Sequence, residues 1–175
     1  GLFGHAAVYL GSEQQLRSAG LWVAVGPKER EAISRGMVFL EADNKGVHLS
    51  LARTALETDR VLVLRPALDG RQRRTTALKH FLAALGTPLD FHFDLDTPEC
   101  VFCTELIHRV LPELGLKSHR VYDRNLIFPD EVARAALDGH LRLKPQLYVV
   151  GDRQGWRVHP VAEARVEINE QWRRK

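Results

Sequence analysis

Two hydrophobic patterns alternate along the chain, and each predicts a different kind of element. Short apolar runs rich in strand formers and stopped by glycine or proline read as buried strands. Ala6-Ala7-Val8-Tyr9-Leu10 is the first, closed by Gly11-Ser12. Residues 37–42 and 47–49 flank the turn-forming Asp43-Asn44-Lys45-Gly46 and predict a hairpin. Residues 60–65 give a further strand, ended by Pro66, which cannot donate to a ladder. Elsewhere apolar residues return every three or four positions. Ala77, Leu78, Phe81, Leu82 and Leu85 predict a core-facing helix from Thr75, stopped by Gly86 and Pro88. Leu106, Ile107, Val110, Leu111 and Leu114 predict a second, from near Cys103 to a cap at Gly115. Pro129-Asp130-Glu131 opens a third that Gly139 ends, since proline and acids suit helix N-termini. Residues 147–150 and 156–158 frame a hairpin around 151–155, residues 161–172 suit a closing helix, and residues 12–36 read as an elaborated surface connection with one short helix.

Strands and helices mixed in this way predict an α+β domain, and a length of 175 residues fits a single one spanning residues 1–175. Hydrophobic residues make up 45% and charged residues 27%, the balance of an ordinary globular protein. Lysine and arginine number 25 against 22 acids, a surplus too small to point to nucleic acid. The densest basic stretches, Arg71, Arg73 and Arg74, and Arg173, Arg174 and Lys175, carry no interleaved aromatics that could stack bases, and read as solvated surface. No apolar run reaches the roughly 18–20 residues that span a bilayer, so a soluble protein, cytoplasmic or periplasmic, is expected. Gly1-Leu2-Phe3-Gly4-His5 runs straight into the first strand, as expected of a mature or trimmed chain.

The chemistry-bearing residues centre on Cys100-Val101-Phe102-Cys103, the only thiols, at the entrance of a helix. Unsatisfied N–H groups and the positive end of the macrodipole stabilise a thiolate there and favour nucleophilic chemistry. A redox Cys-x-x-Cys pair would follow an early strand, whereas this one follows the acidic, aromatic run of residues 89–96. A zinc site would need two further ligands at recognisable spacing. Both cysteines could equally be small core residues. Because Thr97-Pro98-Glu99 also looks like a helix start, the local pattern leaves Cys100 and Cys103 both open as the nucleophile.

Three motifs favour Cys103. Cys103-Thr104-Glu105-Leu106 resembles the Cys-Ser-Glu-Leu helix start of the permuted papain-like, NlpC-like hydrolases (the YiiX/YebB-like group). The run from Gly4 to Gly11 resembles that family's Gly-His strand, and Phe39-Leu40-Glu41-Ala42 followed by Gly46-Val47 resembles its Glu-Ala and Gly-Val segment. The histidine precedes the cysteine, as in the permuted group, and Phe128-Pro129-Asp130 resembles a family segment after the cysteine helix. The resemblance spans about residues 5–110 and has threonine where serine is commoner. It implies a papain-like, circularly permuted fold, in which a small, mainly antiparallel sheet packs on the helix that carries the nucleophile. It also implies nucleophilic acyl transfer, with a thioester intermediate and no metal or organic cofactor.

Each residue has a physical role beside the resemblance. Thiolate chemistry needs a base that titrates near neutrality, and His5 at a strand head suits it. The base needs an acceptor that fixes its tautomer. Glu41, on a strand face shared with Met37 and Phe39, is the candidate, and His48 is its rival. The backbone N–H of Cys103 suits one arm of an oxyanion hole. Tyr9 is a further polar group, and His92 reads as a solvated side chain. The expected activity is cleavage of an amide in peptide-like or cell-wall-derived substrates. Lipid acyl hydrolysis or transfer is the alternative that a long apolar groove would favour. Outside catalysis the alternatives are a non-catalytic binding module and a thiol redox protein.

Overall fold

The computed structural model describes residues 1–173. In chain order its elements are β1 (Ala7–Tyr9), α1 (Glu13–Ser18), α2 (Pro27–Ser34), β2 (Phe39–Asp43), β3 (Gly46–Ser50), α3 (Ala52–Ala55), β4 (Arg60–Pro66) and α4 (Gly70–Ala83). There follow α5 (Cys103–Val110), β5 (His119–Val121), β6 (Arg124–Leu126), α6 (Pro129–Leu137), β7 (Leu143–Asp152), β8 (Gly155–His159) and α7 (Val161–Arg173). Short 3-10 turns at Trp22–Ala24 and Pro112–Leu114 complete the list. The fold is α+β, with small antiparallel sheets and helices. No described helix is long and apolar enough to cross a membrane.

Two three-stranded sheets form, in the orders β1-β2-β3 and β4-β7-β8, beside the β5-β6 hairpin. In the first sheet β2 pairs with β3 through Leu40↔Leu49 and Glu41↔His48, and with β1 through Ala7↔Glu41. Strand alternation therefore sorts β2 and β3 into two faces. Leu40, Ala42, Val47 and Leu49 join the main core with Phe81, Val101, Phe102, Leu106 and Val110 from the helical side. The opposite face carries Phe39, Glu41, His48 and Ser50. The second sheet covers Tyr148 with α6 and α7, where Ala133, Ala164 and Ile168 are buried outside the main core.

Several elements differ from the sequence expectation. Residues 12–36 are not a surface connection: they hold two helices, and Leu16, Trp22, Val25 and Ile33 are buried in the main core. The first long helix begins at Gly70 rather than Thr75, so its opening turn carries Arg71, Arg73 and Arg74. The α5 helix ends at Val110, not Leu114. Pro112 has no N–H to continue it, and the chain tightens into the 3-10 turn that Gly115 closes at φ 78°. Strand β4 joins β7 and not the first sheet, so in place of the expected single small sheet there are two three-stranded sheets and one two-stranded sheet among the described residues. Arg174 and Lys175 of the basic C-terminal run lie outside the described residues.

Candidate active site

The motif that opens α5 is explained residue by residue. Cys103 is the first helical residue and sits half-buried, its sulfur free of any disulfide. The N–H groups of a first helical turn have no intrahelical acceptor, which leaves the backbone at Cys103 able to hold an oxyanion. Thr104 is buried and donates its hydroxyl to the Ile127 carbonyl at 2.6 Å, tying the helix start to the segment before α6. Glu105 reaches back to accept the Phe102 N–H at 3.2 Å and pairs with Arg109 one turn on. Burial raises its carboxyl above the ordinary range, and the Phe102 N–H and Arg109 work against that rise. Leu106 enters the core.

Residues 97–99 form no helix, which settles where the helix begins. Cys100 lies in the irregular stretch ahead of it. Val101 beside it forms a short bridge to Leu89 and donates to the Pro88 carbonyl at 3.0 Å. The acidic, aromatic run before the cysteines is organised by Asp90, a buried carboxylate. It accepts the His92 and Asp94 N–H groups at 2.8 and 2.6 Å and the Thr97 hydroxyl at 2.9 Å. Burial alone would push its carboxyl up, but these donors, led by the Asp94 and His92 N–H groups, hold it below the ordinary value. The His92 side chain is exposed, as expected. Phe93 adopts φ 53° in this loop and rests against Phe102, ring centroids 5.8 Å apart.

His5 lies in the irregular segment ahead of β1 rather than on the strand itself. Its Nε2 faces Glu41 Oε2 at 3.1 Å. Glu41 is 5% exposed, and its other oxygen accepts the hydroxyl of buried Ser50. The carboxylate is thus held from both sides. Its face of β2 also carries Phe39, as the alternation predicted, but it is not otherwise apolar: Leu40 and Ala42 go to the core, and Glu41 stands among Ser50, His48 and the His5 ring. Ser50 was missed because the diagonal pairing across the hairpin is set by register, which residue identity does not reveal.

With Nε2 committed to the carboxylate, Nδ1 is the ring nitrogen left for sulfur. The His5 pKa rises from 6.5 to about 9. A hydrogen bond with Cys103 is the largest cause, burial opposes it, and the thiolate charge and the Glu41 carboxylate add to the rise. The structure therefore brings Cys103, His5 and Glu41 together from three distant parts of the chain.

The rival orienter behaves differently. His48 stands beside Glu41 across the hairpin, but its Nδ1 lies 3.1 Å from the Gly46 carbonyl and 3.5 Å from Asp43. Potential ligand atoms of Glu41, Asp43 and His48 lie within 4.8 Å of one another, but this cluster includes neither cysteine. Tyr9 donates its hydroxyl to Gln15 at 2.6 Å, within the Ser12 cap of α1. Two surface crevices, of about 180 Å³ beside Leu2 and Glu167 and about 190 Å³ beside His119 and His140, both lie away from Cys103. In comparisons with known proteins, no family model, curated protein or solved structure matches the chain.

Proposed function

We propose that this chain is a cysteine hydrolase of the permuted papain-like, NlpC-like kind, acting through Cys103, His5 and Glu41 on an amide bond in peptide-like or cell-wall-derived substrates. The observation that carries the proposal is the position of the His5 ring, bonded to buried Glu41 through Nε2 and raised in pKa chiefly by Cys103. That is the polarity a thiolate and imidazolium pair requires.

The chemistry follows from those positions. Cys103 Sγ, as thiolate, attacks the substrate carbonyl carbon, and the charge that develops on oxygen meets the N–H groups at the start of α5. As the tetrahedral species collapses, the imidazolium proton passes to the leaving nitrogen, the carbon–nitrogen bond breaks, and an amine and a thioester on Cys103 result. Neutral His5 then takes a proton from water, whose oxygen attacks the thioester. Carbon–sulfur cleavage releases a carboxylic acid and restores the ion pair. Glu41 keeps the Nε2–H tautomer and ring orientation throughout, and Ser50 fixes Glu41.

Acyl-enzyme trapping tests the proposal. An activated p-nitrophenyl ester and a peptide p-nitroanilide are offered to the wild type and to the Cys100→Ser and Cys103→Ser variants, with intact-mass and peptide mapping of the acylated species. The expected result is an acyl group on Cys103, full turnover by Cys100→Ser and a loss of at least about 10³-fold in Cys103→Ser. Equal loss in both variants fits a dithiol redox protein. Turnover untouched by Cys103→Ser removes the hydrolase reading.

A further inference from the structure

His5 sits on a length of chain with no secondary structure, since β1 begins only at Ala7. Gly4 beside it is exposed, and a Cβ built there would meet nothing within 4 Å, so no neighbour packs against the chain at the residue next to the ring. A general base on such a strap needs an anchor, because a displacement of about 1 Å costs on the order of 10²-fold in rate.

The anchor is a carboxylate from more than 120 residues away. Asp130 lies in the first turn of α6 and is 7% exposed. Its Oδ1 accepts the Phe3 N–H at 2.6 Å and the Leu2 N–H at 2.8 Å, and Oδ2 lies 3.0 Å from the same Leu2 nitrogen. Hydrogen bonds to an ionised acceptor are among the stronger ones, and the positive end of the α6 dipole favours the charge. His5 lies two positions beyond Phe3, with only Gly4 between them, a reach of about 7 Å at most. The ring is therefore held on one side by the Asp130 clamp and on the other by the pairing of Ala7 with Glu41.

The same short segment also holds the nucleophile. Thr104, next to Cys103, is bonded to the carbonyl of Ile127, three residues before Asp130. Residues 127–130 thus act as a brace with one end on the start of α5 and the other on the strap. We propose that Asp130 is a positioning residue, which sets the distance between His5 and Cys103 by clamping the backbone of Leu2 and Phe3 to this brace. The inference rests on the proposed roles of His5 and Cys103, but its test does not require turnover.

The test is an NMR titration of the His5 ring in the full chain, in the wild type and in the Asp130→Ala and Asp130→Asn variants. The expected result is a wild-type pKa near 9 that falls towards 6.5 in Asp130→Ala, because the ring no longer reaches the sulfur. Asp130→Asn keeps the shape but loses the charge and one acceptor oxygen, so it is expected between the two. It also supplies the answer if the alanine variant does not fold. A value near 9 in the folded variants overturns the positioning role while leaving the hydrolase proposal intact. A wild-type value near 6.5 removes the His5–Cys103 pairing, and both proposals fall with it.

Discussion

An imidazole held near pKa 9 sets the direction of the pH response. His5 gains stability from its partners only as imidazolium, so its contribution to folding is fully present below the unfolded value of about 6.5 and is lost as pH rises through about 9. The proton that leaves with the amine in the proposed reaction is the same one. Hydrolysis is therefore expected to decline on an alkaline limb near pH 9. Glu41 is one of the causes of the rise, so Glu41→Gln should move that limb to lower pH and reduce kcat/KM by about 10²-fold. A pH–rate profile of the two proteins checks both. An unmoved limb would separate Glu41 from the ring. The proposed site residues Cys103, His5 and Glu41 were picked out in the sequence because each sits in a short motif. Asp130, Asp90 and Ser50 were not, because their partners are backbone N–H groups or side chains brought close by register and topology, which leave no mark in spacing.

Helix α5 and the β2–β3 hairpin carry the proposed site, and both depend on a few polar contacts. Thr104→Val keeps the volume but strands the buried Ile127 carbonyl, and should cost about 1–3 kcal/mol in urea unfolding. A serine there, which keeps the hydroxyl, should lose less. At the hairpin, Gly46 has φ 82°, and a Cβ would come within 2.5 Å of the Thr87 carbonyl oxygen. Gly46→Ala should therefore lower the thermal midpoint by more than the ordinary cost of alanine at such a φ, since backbone stands in its way. The turn itself was readable from Asp43-Asn44-Lys45-Gly46, but the 86–87 segment it docks on was not. There, Val47 donates to Thr87 and Gly86 donates back to Val47, both at 2.8 Å. The early end of α5 shows the limit of periodicity: Leu111 and Leu114 keep the helical spacing because the 3-10 turn still delivers them to the core.

Across the fold, the division into α+β and the β2–β3 and β7–β8 hairpins followed from the patterns, whereas the partner of β4 did not. Strand β4 finds β7 some 80 residues later, and the shift in register between Val63 and Leu64 faces Pro145, which has no N–H to offer the ladder. Nothing in either run specifies that partner. The first sheet, in contrast, is built from runs whose alternation already separated Leu40 from Glu41. Leu40 is fully buried in the main core, so Leu40→Ala should cost about 2–5 kcal/mol, read as a fall in the urea midpoint at unchanged slope.

The proximity of His5 to Cys103 is tested by the pH dependence of iodoacetamide alkylation, mapped by mass spectrometry in the wild type and in His5→Ala. A His5 ring paired with the sulfur predicts alkylation chiefly at Cys103, with a pH profile that changes in His5→Ala. Modification chiefly at Cys100, or a Cys103 profile that His5→Ala leaves unchanged, would contradict it.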